Sequence, residues 1–160
     1  MKRSLKLYPA TLAIAIALLS GCGNSTGPEE DNSLSIQFFL ADSSGEETTL
    51  FDVGQEIYFD YSMVNSTGAT LHYNLPHTGP FVRLEVSQAD SLIGTSDDGH
   101  LYAQMILPGT LPPGDSLHWV YPWFSNEYHS ALPPGEYTAW AKPRLSIYSS
   151  PSKIDFVISD

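Results

Sequence analysis

The stretch LPPGEYTAWA, residues 132–141, decides the fold, and an echo of it, LPPGDSLHWVYPW, stands at residues 111–123. Leu132, Pro134, Gly135 and Tyr137 give the spacing L-x-P-G-x-Y. In sandwiches of immunoglobulin type, a Tyr placed this way at the start of a late strand bonds back to upstream backbone and forms a tyrosine corner. A chain crossing between two sheets must bend without stranding its backbone polar groups. Pro134 presets its own φ and Gly135 tolerates a positive one, so the pair punctuates the bend. Leu132 then caps the core, and Tyr137 packs beneath it with its hydroxyl serving a buried backbone group.

Working outward from this corner, apolar residues recur with period two. Leu34, Ile36, Phe38 and Leu40 alternate with Ser35, Gln37 and Phe39, and the acidic run 42–47 then turns the chain. Ile57, Phe59, Tyr61 and Met63 form the clearest alternation, which stops at the turn residues Asn65, Ser66, Thr67 and Gly68. Leu71, Tyr73 and Leu75, then Val82, Leu84 and Val86, continue the pattern. Asp97-Asp98-Gly99 is read as a hairpin turn into Leu101, Ala103, Met105 and Leu107. Leu117, Trp119, Tyr121 and Trp123 follow the first LPPG, Tyr137, Ala139 and Ala141 follow the second, and Ile154, Phe156 and Ile158 close the chain. No segment sustains a helical period. These segments predict an all-β fold, an antiparallel immunoglobulin-like Greek-key sandwich of about seven to nine strands over residues 33–160.

The amino-terminal segment has a different character. Lys2, Arg3 and Lys6 precede an apolar run at residues 12–19 that is too short to span a bilayer comfortably, so residues 1–21 read as a signal peptide. It ends in Leu19-Ser20-Gly21-Cys22, which resembles a bacterial lipobox, where the Cys thiol takes a diacylglyceryl group and cleavage occurs just before it. That resemblance implies a membrane anchor at Cys22, each buried CH₂ of its acyl chains contributing about 0.8 kcal/mol. Gly23 stands where an Asp would favour inner-membrane retention in Gram-negative lipoproteins, which points to the outer membrane, facing the periplasm. Cys22 is the only cysteine, so an internal disulfide and a cysteine-built metal or redox site are excluded. The small, acidic residues 22–32 read as a flexible tether. Without residues 1–21 the chain keeps four Lys or Arg against eighteen Asp or Glu, a formal charge of −14, which makes nucleic acid a poor partner.

Several motifs of the body together resemble the BsuPI-like domain, a bacterial immunoglobulin-like sandwich named for an intracellular proteinase inhibitor. They are MVN at residues 63–65, the segment 81–86, LPPGD at residues 111–115, an aromatic strand ending in Trp123, and PGEYT at residues 134–138. The resemblance covers roughly residues 53–143 and implies the sandwich fold and an inhibitory function. The fourth strand departs from the family's aromatic and acidic run, and this chain carries an export signal.

Chemistry is weakly encoded. His72, His77, His100, His118 and His129 are dispersed without metal-ligand spacing, and Asp97-Asp98-Gly99 lacks the rest of a calcium loop. No nucleophile elbow, P-loop or dinucleotide-binding glycine pattern occurs, so neither catalysis nor a cofactor or metal is expected. The triplets at Asn24 and Asn65 match N-x-T but consist of residues that tethers and turns prefer. Aromatic content points to binding instead. If Tyr137, Ala139 and Ala141 face inward, Trp140 faces out, and with Phe124 or Tyr128 it forms a patch for a protein or glycan of the cell envelope. Lys142, Arg144 and Lys153 bracket the segment 143–152, where Arg144 is the specificity residue of an inhibitory loop on the alternative reading. The expected function is therefore that of a lipid-anchored, non-catalytic binding or assembly module, with proteinase inhibition as the alternative.

Overall fold

The computed structural model describes residues 34–124 and 127–160. The leader, Cys22 and the tether lie outside the described residues. Among the described residues there are ten strands and no helix: β1 Leu34–Ala41, β2 Leu50–Asp52, β3 Tyr58–Asn65, β4 Leu71–Leu75, β5 Val82–Gln88, β6 Ser91–Thr95, β7 Leu107–Leu111, β8 Ser116–Pro122, β9 Gly135–Pro143 and β10 Ser152–Ser159. They form a three-stranded sheet in the order β1-β3-β8, a five-stranded sheet in the order β2-β10-β9-β5-β6, and the ribbon β4-β7. The fold is all-β and sandwich-like, because both larger sheets bury their inward residues in one cluster. Leu40, Phe59, Tyr61, Met63 and Tyr121 enter it from the first sheet, and Phe51, Val82, Leu84, Val86, Ala139, Ala141, Phe156 and Ile158 from the second.

Period two explains why these segments are strands. In β3, Phe59, Tyr61, Met63 and Asn65 are buried and the residues between them are half-buried, as expected for a central strand flanked on both edges. The aromatic set of β8 supplies the core side, with Tyr121 and Trp123 buried and Val120 exposed on the opposite face. Phe59 packs its ring 5.4 Å from that of Trp123, and Tyr137 lies 5.5 Å from Phe156, so rings fill the interior between the sheets.

Three expectations are corrected. Residues 101–106 form no strand: Leu101, Met105 and Ile106 are exposed, and only Leu107 enters β7. Alternation specifies a strand only when one face is buried, and this segment has no sheet face to serve; it pairs instead with the loop before β5, Thr78 and Ala103 exchanging bonds of 3.0 and 3.1 Å. Asp97-Asp98-Gly99 is therefore a turn but not a hairpin. Second, the pairing is not wholly antiparallel, since β2 runs parallel to β10 with Leu50 opposite Val157. Third, β2 and β6 bring the strands to ten. β2 is three residues long, too short to show a period. β6 follows a two-residue turn at Ala89 and Asp90, both with positive φ (46° and 67°). Such a turn normally announces itself with Asn-Gly or Asp-Gly.

The two LPPG segments do different work. In the first, Gly114 has φ +80°, and the turn closes through Asp115 N–H to Pro112 O at 3.1 Å. In the second, Gly135 also has a positive φ, +159°, but one near the extended limit, so the chain bends less sharply there than at Gly114. The hydroxyl of Tyr137 does bond back to upstream backbone. Tyr137 is buried, and its hydroxyl donates to Pro133 O at 2.7 Å, four residues upstream. Burial raises the pKa of this phenol above its ordinary value, with the Gln88 amide pulling the other way. Leu132 caps the core at 3% exposure.

Asn65, which reads as a turn residue, is a buried hub. Its Nδ2 donates to Leu111 O at 2.7 Å and to Ala69 O at 2.9 Å, while its Oδ1 accepts from Thr67 N at 2.9 Å and Thr67 Oγ1 at 2.6 Å. Its backbone bonds to Asp115 O and Gly114 N. The side chain thus uses its full hydrogen-bonding capacity to lock the turn after β3 to the turn before β8.

Candidate binding surface

The inward residues of β9 are Tyr137, Ala139, Ala141 and Pro143, all buried, so Thr138, Trp140 and Lys142 project from the outer face of the five-stranded sheet. Register builds the surroundings. Glu85 on β5 and Lys153 on β10 stand opposite Trp140, and Arg83 stands opposite Lys142. Directly opposed residues share a face. The face therefore carries Arg83, Glu85, Trp140, Lys142 and Lys153 together, with Arg144 following at the end of β9.

Trp140 is half-buried. Both flanking ammonium groups, Lys142 Nζ and Lys153 Nζ, lie 5.9 Å from its ring centroid, within cation–π range. Beside it, Glu85 is only 7% exposed, and its carboxylate pairs with Lys142 and lies 3.2 Å from Arg83 Nε. A carboxylate this buried is tolerated because cations cover it. Asp97 extends the network, 3.7 Å from Arg83 and paired through both oxygens with the Arg144 guanidinium. The ammonium of Lys153, on an exposed residue, has the Trp140 ring as its partner.

The other residues singled out in the sequence fall elsewhere. Phe124 packs against the core, and its backbone N–H donates to Glu56 at 2.6 Å, so it does not join Trp140 in a patch. Tyr128 is 57% exposed but lies over the turn after β6, where a Cβ at Gly99 would meet its ring at 2.0 Å; this position and its φ of +77° both demand glycine. It borders a depression of about 320 Å³ shared with Ile93, Trp123, His129 and Leu132. Arg144 is not displayed on a free loop: its side chain is 16% exposed and tied to Asp97, and its backbone N–H bonds to Phe81 O at 2.8 Å. Ser146 N–H reaches Asn74 O and Leu145 is buried, so the segment after β9 is pinned to the body.

Four of the histidines have structural partners, His100 among them through its stacking on Tyr102. His129 stacks on Trp123 with centroids 3.8 Å apart, and its two ring nitrogens face Trp123 O at 2.9 Å and Thr95 O at 3.0 Å. A neutral ring can donate to one of these carbonyls and an imidazolium to both. Asp98, 3.5 Å from His129, has a lowered pKa: burial pushes it up, but the Thr95 N–H and hydroxyl and the nearby His129 outweigh that. His118 bonds Asp60 at 2.8 Å, and His77 stacks on Tyr102. Among the described residues no group of three or more His, Cys, Asp or Glu is placed to hold a metal ion, and no helix is long and apolar enough to cross a membrane. The pairing of Trp140 with Lys142 was legible in the alternation of β9; the approach of Arg83, Glu85 and Lys153 depends on register.

The geometry thus defines an all-β module with a cation-flanked aromatic on one sheet face. No protein-family model matches the chain, and no curated protein matches it. Solved structures similar in part include a β-glucosidase from Erythrobacter marinus, at 11% identity and TM-score 0.44, covering 79% of this chain and 15% of that one. A β-glucosidase from Listeria innocua matches at 7% identity and TM-score 0.43, over 80% of this chain and 16% of that one. A DNA-bound alkylpurine DNA glycosylase from Pseudomonas fluorescens matches at 11% identity and TM-score 0.42, over 79% of this chain and 30% of that one. The chain spans less than a third of each, and these likenesses carry no weight for its function.

Proposed function

We propose that the protein is a lipid-anchored lipoprotein of the bacterial cell envelope, on the outer membrane facing the periplasm in a Gram-negative cell. On this reading its immunoglobulin-like, BsuPI-like domain is a non-catalytic binding or assembly module. Strand order supports the finer fold reading: β1-β3-β8 corresponds to strands A, B and E of an immunoglobulin sandwich, and β2-β10-β9-β5-β6 to the sheet formed around G, F and C. Tyr137 then falls near the start of the F strand, where a tyrosine corner belongs. The anchoring rests on the Leu19-Ser20-Gly21-Cys22 motif.

The observation that carries the binding role is Trp140, a large aromatic held on an outer sheet face between two ammonium groups. An outward aromatic with cations against its ring suits contact with a partner, since Trp is among the side chains that most often anchor binding surfaces. The inhibitor reading draws less support, because Arg144 would have to leave Asp97 before it could enter a protease pocket. Labelled palmitate supplied to producing cells tests the anchor. Wild type should incorporate label and fractionate with membranes, and Cys22→Ser should do neither; an unlabelled wild type would remove the proposal.

A further inference from the structure

We infer that the Trp140 face recognises an acidic glycan, a chain of sugar rings bearing carboxylates. The inference deepens the binding role proposed above and rests on Trp140 being its contact residue. Charge is the first argument. Residues 34–160 contain four Lys or Arg against fifteen Asp or Glu, and all four cations, Arg83, Lys142, Arg144 and Lys153, gather on or beside this one face. Glu85 and Asp97 pair with Arg83, Lys142 and Arg144, and Asp155 lies at the patch margin, so four cations face three carboxylates on a strongly acidic domain. Chance scatter of so few cations does not produce a single patch, and its field favours an anionic ligand locally while the rest of the surface repels one.

Shape is the second argument. The face is a sheet surface in mid-strand, with the ladder bonds of β9 already taken by β5 and β10, so an added peptide strand has no free edge there. Its partners in register are Glu85 and Lys153 and its same-face neighbours along β9 are Thr138 and Lys142, none of them large and apolar, leaving Trp140 as a lone aromatic. Stable protein interfaces need roughly 1,200 Å² and a cluster of anchors, which one indole does not supply. A pyranose ring needs only one flat aromatic to stack its C–H face upon; it would displace the Lys153 ammonium from over the Trp140 ring, and that ammonium, which the structure sets against the ring, would then meet a carboxylate of the ligand. Asp155, which accepts from Thr138 at 2.8 Å, bounds the patch on one side, so the ligand lies toward Arg83 and Lys142.

Binding is tested on the full chain carrying Cys22→Ser, so that no acyl anchor contributes. The probes are alginate, neutral dextran, polyglutamate and anionic phospholipid vesicles. Wild type should bind alginate and not dextran, about tenfold more weakly at 0.5 M salt than at 0.05 M. Lys153→Gln alters an exposed side chain whose ammonium partner is the Trp140 ring, so the fold should survive, and alginate affinity should fall about three- to tenfold. Trp140→Ala should lower it by tenfold or more; Lys153→Gln keeps the test decisive if that variant unfolds. Failure of wild type to bind alginate, unchanged affinity in Lys153→Gln, or equal binding of polyglutamate or vesicles overturns the inference. If alginate fails while capture from the native envelope still depends on Trp140, the glycan assignment falls and the binding role stands; loss of both removes both.

Discussion

Replacing Asn65 with Ala should cost a large fraction of the stability of the domain, although sequence alone places the residue at a surface turn. Truncation removes four side-chain hydrogen bonds at once. The bond to Leu111 O is buried, so that carbonyl loses its partner without gaining water, at about 1–3 kcal/mol. The Ala69 and Thr67 groups are partly exposed and can rehydrate, which adds about 0.5 kcal/mol each at the low end of hydrogen-bond values. The expected loss is about 2–4 kcal/mol, or roughly 10 °C in Tm for a domain of this size. Asn65→Asp should be at least as damaging, because it turns an acceptor toward the carbonyls of Ala69 and Leu111 and buries a charge. Urea unfolding followed by tryptophan fluorescence measures both. A loss below about 1 kcal/mol for Ala, or tolerance of Asp, would refute the hub.

Other perturbations read separate parts of the fold. Tyr137→Phe keeps the ring but strands Pro133 O, and should lower stability by about 1 kcal/mol in the same titration; no change would remove the corner as an energetic element. Tyr61→Phe should be neutral or stabilising by up to about 1 kcal/mol, because the buried hydroxyl has no hydrogen-bond partner among the described residues. A clear loss in that variant would contradict this. Asp98 has its folded pKa lowered, so the unfolded chain takes up the proton first as pH falls. Its contribution is therefore present above about pH 4 and lost as pH drops through the folded value. The stability gap between wild type and Asp98→Asn should shrink between pH 5 and about pH 2, and a constant gap would oppose the assignment.

The residues that were legible in the sequence are those with local causes. Period two in β1, β3, β5, β8, β9 and β10 follows from one face meeting a shared core. The L-x-P-G-x-Y spacing places the Tyr137 hydroxyl within reach of Pro133 O because only four residues separate them. What was not legible depends on partners distant in sequence. Leu101 and Met105 alternate like strand residues yet meet no sheet. Ala89-Asp90 makes a tight turn with no glycine at either positive-φ position, because the flanking β5–β6 pairing holds it. At the candidate surface, β9 alone puts Trp140 beside Lys142, but Glu85 and Lys153 arrive through register with β5 and β10, sixteen or more residues outside the local pattern of the corner. Phe124 misled for the same reason: its strand face is outward, but the chain turns at Trp123 and packs it inward.

The most direct test of the account is capture from the native envelope by wild type and Trp140→Ala side by side, each with its melting curve. The account expects the substitution to leave Tm nearly unchanged and to abolish capture, since Trp140 projects from the outer sheet face and is not part of the central cluster. Undiminished capture by the variant, or a collapse of Tm like that of a core deletion, would contradict it.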